Sequence, residues 1–407
     1  MRFGLNQTDN EQRIDFNRLR SERLAKAQKA LADSEADALL LFDMNNVRYT
    51  TSTWLGEWGR DKLVRYSIVL PEGQPLLFEF GSAVPHKKKY CPWIADTTYP
   101  SDSAMRGSIH PACRIEDNII DSLVKTLKDA GLPEKAKIGV DIAEIPVIKG
   151  LLGNGFEIID GQRIMLAARV VKTVDEIDLL EYSAATVDAG YSEVIRNLHA
   201  GVRENELVAI MNDTLYRLGA EQVEAVNCVS GPRCSPHPHN FSDRLIRPSE
   251  MIFMDVVSSF CGYRTCYYRT FYIGKKPSQA VLDAYKKTYD WLYAAIDLVK
   301  PGNTTADICN AFPTAQEMGI ESEAHAFALQ FGHGIGLSVW EYPVISRRVS
   351  MDHPIELKEG MTFALETYAP AKDGTGAARI EEECVVTADG CRVITKYPCD
   401  ELVCVDP

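Results

Sequence analysis

Five residues able to bind a cation or move a proton recur on strand-like segments in the second half of the sequence. His239 lies in SGPRCSPHPHN (230–240), Asp255 in FMDVVSSFCGYRTCYYRTFYIG (253–274) and His333 in FGHGIGLSVWEYP (331–343). Glu366 lies in FALET (363–367) and Glu381 in ARIEEE (378–383). Two imidazoles and three carboxylates form the donor set of a hard-to-borderline divalent metal site. Histidine also suits proton transfer, because it titrates near neutrality. His237 precedes His239 by two residues, so in an extended segment both rings face one side. The competing reading makes Pro236–His237–Pro238 a rigid loop. Tyr268 follows Cys266 by two, so both share a strand face; the alternative is a packed strand aromatic.

Regular elements must carry these residues. Residues 14–33 have helical spacing, with Phe16, Leu24, Ala27 and Leu31 on one face. ADALLLFD (36–43) reads as a buried strand. VRYTTST (47–53) and residues 65–80 read as strands, the latter a hairpin turning near Glu72–Gly73. A helix over 115–130 and a strand over 136–142 continue a βα alternation, which predicts a three-layer α/β domain. Residues 161–172 read as the linker that follows.

Residues 173–199 then form a long helical pattern, with Thr173 and Glu176 at capping-box spacing and Gly201 as a stop. A second helix ends at Gly219. Strands follow, then a helix over 278–302, a shorter one over TTADICNAFPTAQEMG (304–319), and more strands. Helix pair, hairpin, helix pair, hairpin predicts an internal pseudo-duplication with a curved antiparallel sheet covered by helices. The expected domains are 1–165 and 166–407, in an α/β (α+β) chain.

With 407 residues, about two domains are expected. The net charge of −13 argues against a nucleic-acid or anionic-membrane binder. The polar N-terminus carries no secretory signal, and no apolar run is long enough to span a bilayer. Eleven cysteines without a CxxC pair predict a reduced, cytoplasmic chain in which most thiols fill the core. The run HKKK (86–89) reads as a solvated loop.

The segments around Asp255, His333, Glu366 and Glu381 together resemble, in order, the pita-bread family of methionine aminopeptidase, aminopeptidase P, prolidase and creatinase. The resemblance covers the whole chain and implies a creatinase-like N-terminal domain for dimerisation and as a substrate lid. FDMNNVRYTTST and the SGPR run also resemble dimethylsulfoniopropionate lyase. The family's metal ligands match Asp255, His333, Glu366 and Glu381. The fifth falls eleven residues after Asp255, where this chain has Cys266. Replacing a bridging carboxylate by a thiol disfavours a two-metal peptidase site. One zinc, iron or manganese ion and a metal-free site both stay open. Peptidases of the family carry another histidine seven residues after His333; here it is Trp340, whose indole N–H donates a hydrogen bond but shuttles no proton.

The resemblance makes His239 the acid/base of creatinase-like enzymes. It puts Tyr268 where creatinase grips a guanidinium group. Arg65 matches an arginine that creatinase presents from the partner subunit to the substrate carboxylate, with Arg60 as a nearby competitor. Trp54, Trp58, Tyr268 and Trp340 would form an aromatic wall for an onium group, or Trp54 and Trp58 would line a dimer interface. The leading expectation is a homodimeric, creatinase-type hydrolase that cleaves a C–N bond in a small carboxylate-bearing substrate. The alternatives are a C–S lyase, an Xaa-Pro metallopeptidase and a catalytically silent binding module.

Overall fold

The apolar runs of the first third fold as a mixed six-stranded sheet. The computed structural model describes residues 14–56, 64–102, 107–236 and 239–407. One unit spans Asp15–Arg169 and another is built on Val170–Pro407. In the first, α1 (Phe16–Ala32) is capped by the Asp15 carboxylate. It leads to β1 (Ala38–Leu41), α2 (Met44–Thr51), β2 (Tyr66–Val69) and β3 (Leu76–Glu79). Then come α3 (Val84–Tyr90), β4 (Thr98–Pro100), α4 (Ile115–Asp129), β5 (Lys137–Val140), α5 (Ile145–Gly153), β6 (Glu157–Asp160) and α6 (Gly161–Arg169). The strand order is β4-β3-β2-β1-β5-β6. Gly161 is required where α6 begins: a Cβ there would come within 2.5 Å of the Gly139 backbone on β5.

Three sequence expectations change in this unit. VRYTTST is β-branched and aromatic, yet most of it lies in the helix α2. Asp43 caps that helix by accepting the N–H groups of Asn45 and Asn46. Thr50 and Thr51 donate back to Asn46 O (2.9 Å) and Val47 O (2.6 Å), which satisfies their hydroxyls inside a helix. The expected linker 161–172 carries α6. HKKK lies on α3, where Lys87 is buried and donates to Trp54 O.

The second unit starts with α7 (Val174–Asn197), whose Thr173–Glu176 capping box forms as expected, and α8 (Glu204–Arg217). β7 (Gln222–Ser230), β8 (Met251–Phe260) and β9 (Tyr263–Ile273) follow, then α9 (Gln279–Ile296) and α10 (Thr305–Ala311). The segment TTADICNAFPTAQEMG is helical only to Ala311, because Pro313 disfavours a helical Phe312. β10 (Phe331–Gly334), β11 (Glu341–Ile345), α11 (Arg347–Ser350), β12 (Thr362–Pro370), β13 (Ala377–Val386), β14 (Cys391–Val393) and β15 (Val403–Val405) complete the unit. The strands form two sheets, β11-β10-β12-β13-β14 and β15-β9-β8-β7. All pairings are antiparallel except β15 with β9.

Apolar side chains hold helices to these sheets. Val187, Tyr191, Leu207 and Met211 pack with Ile252, Met254, Val256 and Tyr267. Leu292 and Ala295 of α9 pack with Phe363, Leu365, Ala378, Ile380 and Cys384. The sheets meet along β9 and β13, where Thr270 Oγ1 donates to Arg379 O (2.6 Å) and accepts Arg379 N–H (2.9 Å).

Candidate metal and acid–base site

Strand periodicity separates the chemistry from the core. On β8, Ile252, Met254 and Val256 face the helices, so Asp255 faces the other way. On β13, Ala378, Ile380 and Cys384 face α9, which leaves Arg379, Glu381 and Glu383 together on the opposite face. Glu366 alternates likewise with Leu365 on β12 and pairs in register with Glu381. Val257, opposite Cys266, and Tyr268, opposite Asp255, fix the register of β9.

At the centre, Cys266 Sγ is 3.6 Å from Asp255 Oδ1 and 4.0 Å from Glu381 Oε2. Donor atoms of Cys266, His333 and Glu381 all lie within 4.8 Å of one another, and all three residues are buried. His333 Nδ1 is 3.0 Å from the Gly334 carbonyl. A carbonyl only accepts, so Nδ1 carries the proton and the Nε2 lone pair is left for a ligand. Asp255 is held by Asn227 Nδ2 at 3.0 Å, and Glu366 by Arg379 Nη2 at 2.5 Å. Arg379 also lies 4.4 Å over the Tyr268 ring.

The acids outnumber the cation beside them. Burial, then Glu366, push Asp255 up to about 6; hydrogen bonds from Asn227 and Tyr268 oppose this. Burial, then Glu366 and Asp255, push Glu381 well above the carboxylate range. The Cys266 thiol rises for the same reasons, burial first and then Asp255. Burial lowers the His333 pKa, in the direction of the neutral imidazole that a metal ligand must be.

The glycine–histidine loop is pinned on both sides. Glu341 accepts from Lys172 (2.8 Å) and from Ser338 N–H (3.1 Å). A Cβ at Gly336 would meet the Glu341 carboxylate at 2.8 Å and push it from its place. Arg264 donates to Leu337 O. Trp340 is 50% exposed and stacks on His333, with ring centroids 5.4 Å apart and planes at 23°.

Asp255, Cys266, Tyr268, His333, Trp340, Glu366 and Glu381 therefore share one unit and converge. His239 is exposed, yet close enough to Arg379 and Glu366 to feel both charges; burial, then Arg379, lower its pKa. Arg65 lies in the other unit. It is 6% exposed, with Nε 2.9 Å from Glu79 Oε2 and Nη2 donating to Thr53. Trp54 carries Arg48 over its ring at 4.8 Å. Trp58, Arg60 and His237 lie outside the described residues.

Two residues of the site were not singled out from sequence. Arg379 is the buried cation beside Glu366. Glu383 accepts Cys266 N–H at 2.6 Å, and its Oε2 has no hydrogen-bond partner. Both stand two residues from Glu381, so strand alternation carries them to its face.

The residues fit a metal ion. Among the described residues Glu381 Oε1 is buried without a hydrogen-bond partner, a costly state unless a cation or proton meets it. Thiol, imidazole and carboxylate with one position open form the donor set of a catalytic centre.

A profile of metallopeptidase family M24 matches residues 178–388. Dimethylsulfoniopropionate lyase DddP of Roseovarius nubinhibens is 24% identical over 406 residues, 95% of this chain and 87% of that protein. Probable dipeptidase PepE of Mycobacterium tuberculosis is 27% identical over 342 residues, 83% of this chain and 82% of that protein. Among solved structures, dipeptidase PepE of Mycobacterium ulcerans has a TM-score of 0.76 at 24% identity, covering 97% of this chain and 100% of its own. Thermococcus sibiricus prolidase has a TM-score of 0.77 at 21% identity, covering 95% and 99%. These two likenesses are of fold.

Proposed function

Because the chain belongs to metallopeptidase family M24, we propose that it hydrolyses a C–N bond in a small carboxylate-bearing substrate instead of a peptide. It is an enzyme, a hydrolase or a lyase, as its relatives are. The finer reading is carried by one observation. Cys266 Sγ stands at the hub, 3.6 Å from Asp255, while Trp340 stacks on His333. The resemblance to the peptidases calls for oxygen and imidazole at those two positions. Without them, the water-activating bridge and the second proton donor of peptide hydrolysis are missing.

The remaining groups support small-molecule chemistry. His239 takes and returns the proton from the exposed side. Glu366 and Glu381 hold the cationic part of the site, Tyr268 backs Asp255, and Trp340 offers an aromatic face. A divalent ion at Cys266, His333 and Glu381, drawn from zinc, iron and manganese, would supply Lewis-acid polarisation. Arg65 is left out of the substrate site, because it is buried and already held by Glu79 and Thr53 within its own unit. A homodimer with the N-terminal unit as lid belongs to the same proposal, as does a reducing, cytoplasmic setting. Eleven cysteines, none joined in a disulfide, support that setting. Among the described residues, no helix is long and apolar enough to cross a membrane.

A second reading, C–S elimination, is favoured by the match to the lyase along 95% of the chain. One panel separates the readings: amidino and N-methyl amino acids, dimethylsulfoniopropionate with headspace detection of dimethyl sulfide, and Xaa-Pro dipeptides with manganese or cobalt. Turnover in the first group is expected. Dimethyl sulfide release moves the assignment to the lyase, and rapid Xaa-Pro cleavage overturns both. His239→Ala should lower kcat by about 10²–10⁴-fold. Its melting temperature should hold, because the ring is exposed.

A further inference from the structure

We propose that Cys266, His333 and Glu381 bind one thiophilic divalent ion per chain, zinc or a chemical analogue, and that the centre holds no second ion. The inference rests on the reading of this site as a metal centre but not on the substrate class.

Three observations carry it. The donor atoms lie within 4.8 Å of one another, close enough to meet on a single ion. Each donor is prepared. His333 spends its Nδ1–H on the Gly334 carbonyl, Glu381 Oε1 has no hydrogen-bond partner among the described residues, and Glu383 Oε1 fixes the Cys266 backbone at 2.6 Å. Of the carboxylates a second ion would need, each already has one oxygen engaged: Glu366 Oε2 by Arg379 at 2.5 Å and Asp255 Oδ2 by Asn227 at 3.0 Å. A thiolate favours zinc over manganese and magnesium, which prefer oxygen ligands. Three protein ligands with an open fourth position match a catalytic zinc set. A divalent charge would also offset buried acids that Arg379 alone leaves unbalanced.

The test uses the full chain, stripped with a chelator and reloaded. Elemental analysis after dialysis against equal zinc and manganese should find one zinc per chain and little manganese. The cobalt(II) form should show a near-ultraviolet thiolate-to-metal charge-transfer band that Cys266→Ser abolishes. Cys266→Asp should raise manganese uptake at the expense of zinc. Two ions per wild-type chain, a preference for manganese, or a band that survives Cys266→Ser overturns the proposal. A wild-type chain that takes up no ion overturns the metal reading as well, while the substrate panel still decides the reaction. The stoichiometry and the band are read on the wild type, so a misfolded variant would not blur the result.

Discussion

Two buried charge clusters, one in each unit, are completed in opposite ways. In the first, Arg65 meets Glu79 at 2.9 Å and Thr53 beside it, while Glu79 Oε1 accepts Phe80 N–H at 3.1 Å. Cation, anion and hydroxyl satisfy one another, and the set is closed. In the second, Asp255, Glu366, Glu381 and Glu383 stand on facing strands beside Arg379. Burial pushes Glu383 up to about 8 and Asp255 to about 6, and buried oxygens of Glu381 and Glu383 lack partners. A balanced buried pair holds structure. A surplus of one sign needs a proton, a metal or a substrate cation to complete it, and that marks function.

The largest effect expected is at Arg379. Arg379→Met leaves Glu366 buried without its cation, in a cluster that already repels itself. We expect a loss of about 3–5 kcal/mol, measured by urea unfolding of the metal-free protein. A loss below about 1 kcal/mol would mean that the acids are protonated in the folded state and the guanidinium is idle.

The closed pair should behave differently. Arg65→Met alone should cost roughly 3 kcal/mol by stranding Glu79. Adding Glu79→Leu should recover most of it, because a buried ion pair and an apolar pair of similar volume are close in stability. The double-mutant cycle reads this directly. A double variant no better than the single would show that Arg65 supports more than Glu79, and would return it to candidacy as a binding residue.

This contrast was partly legible in the sequence. The strands of the second unit announce themselves through alternation and through the glycine–histidine loop, so His333, Glu366 and Glu381 were found together. The same alternation carries Arg379 and Glu383 to the face of Glu381, but a run of three glutamates hides which ones turn inward until β9 lies beside β13. Arg65 shows the other failure. The hairpin pairs Tyr66 with Phe78, which already sets Arg65 opposite Glu79. The resemblance to a substrate-binding arginine drew attention from that local partner. VRYTTST was misread because a side-chain cap, Asp43, and two back-bonding threonines outweighed β-propensity.

The gentlest test concerns Asp141, an acid in the first unit that pairs with no cation among the described residues. Its Oδ1 accepts the N–H groups of Phe42 (2.8 Å) and Ile142 (2.6 Å). Its Oδ2 accepts Asp43 N–H (3.1 Å) and Asn46 Nδ2 (2.9 Å). Loss of solvent outweighs these donors and raises the pKa from 3.8 to about 6. Between those values the folded chain binds the proton and the unfolded chain does not. The contribution of Asp141 to stability is therefore fully present below pH 3.8, falls as pH rises to about 6, and is flat above that. Two pKa units correspond to about 2–3 kcal/mol. Asp141→Asn cannot ionise, so unfolding curves from pH 4 to pH 7 should show the wild type losing that much relative to the variant. The difference should be indifferent to added zinc, because Asp141 lies in a different unit from Cys266, His333 and Glu381. Parallel curves would mean that its four donors hold the carboxylate ionised throughout, completed without a proton.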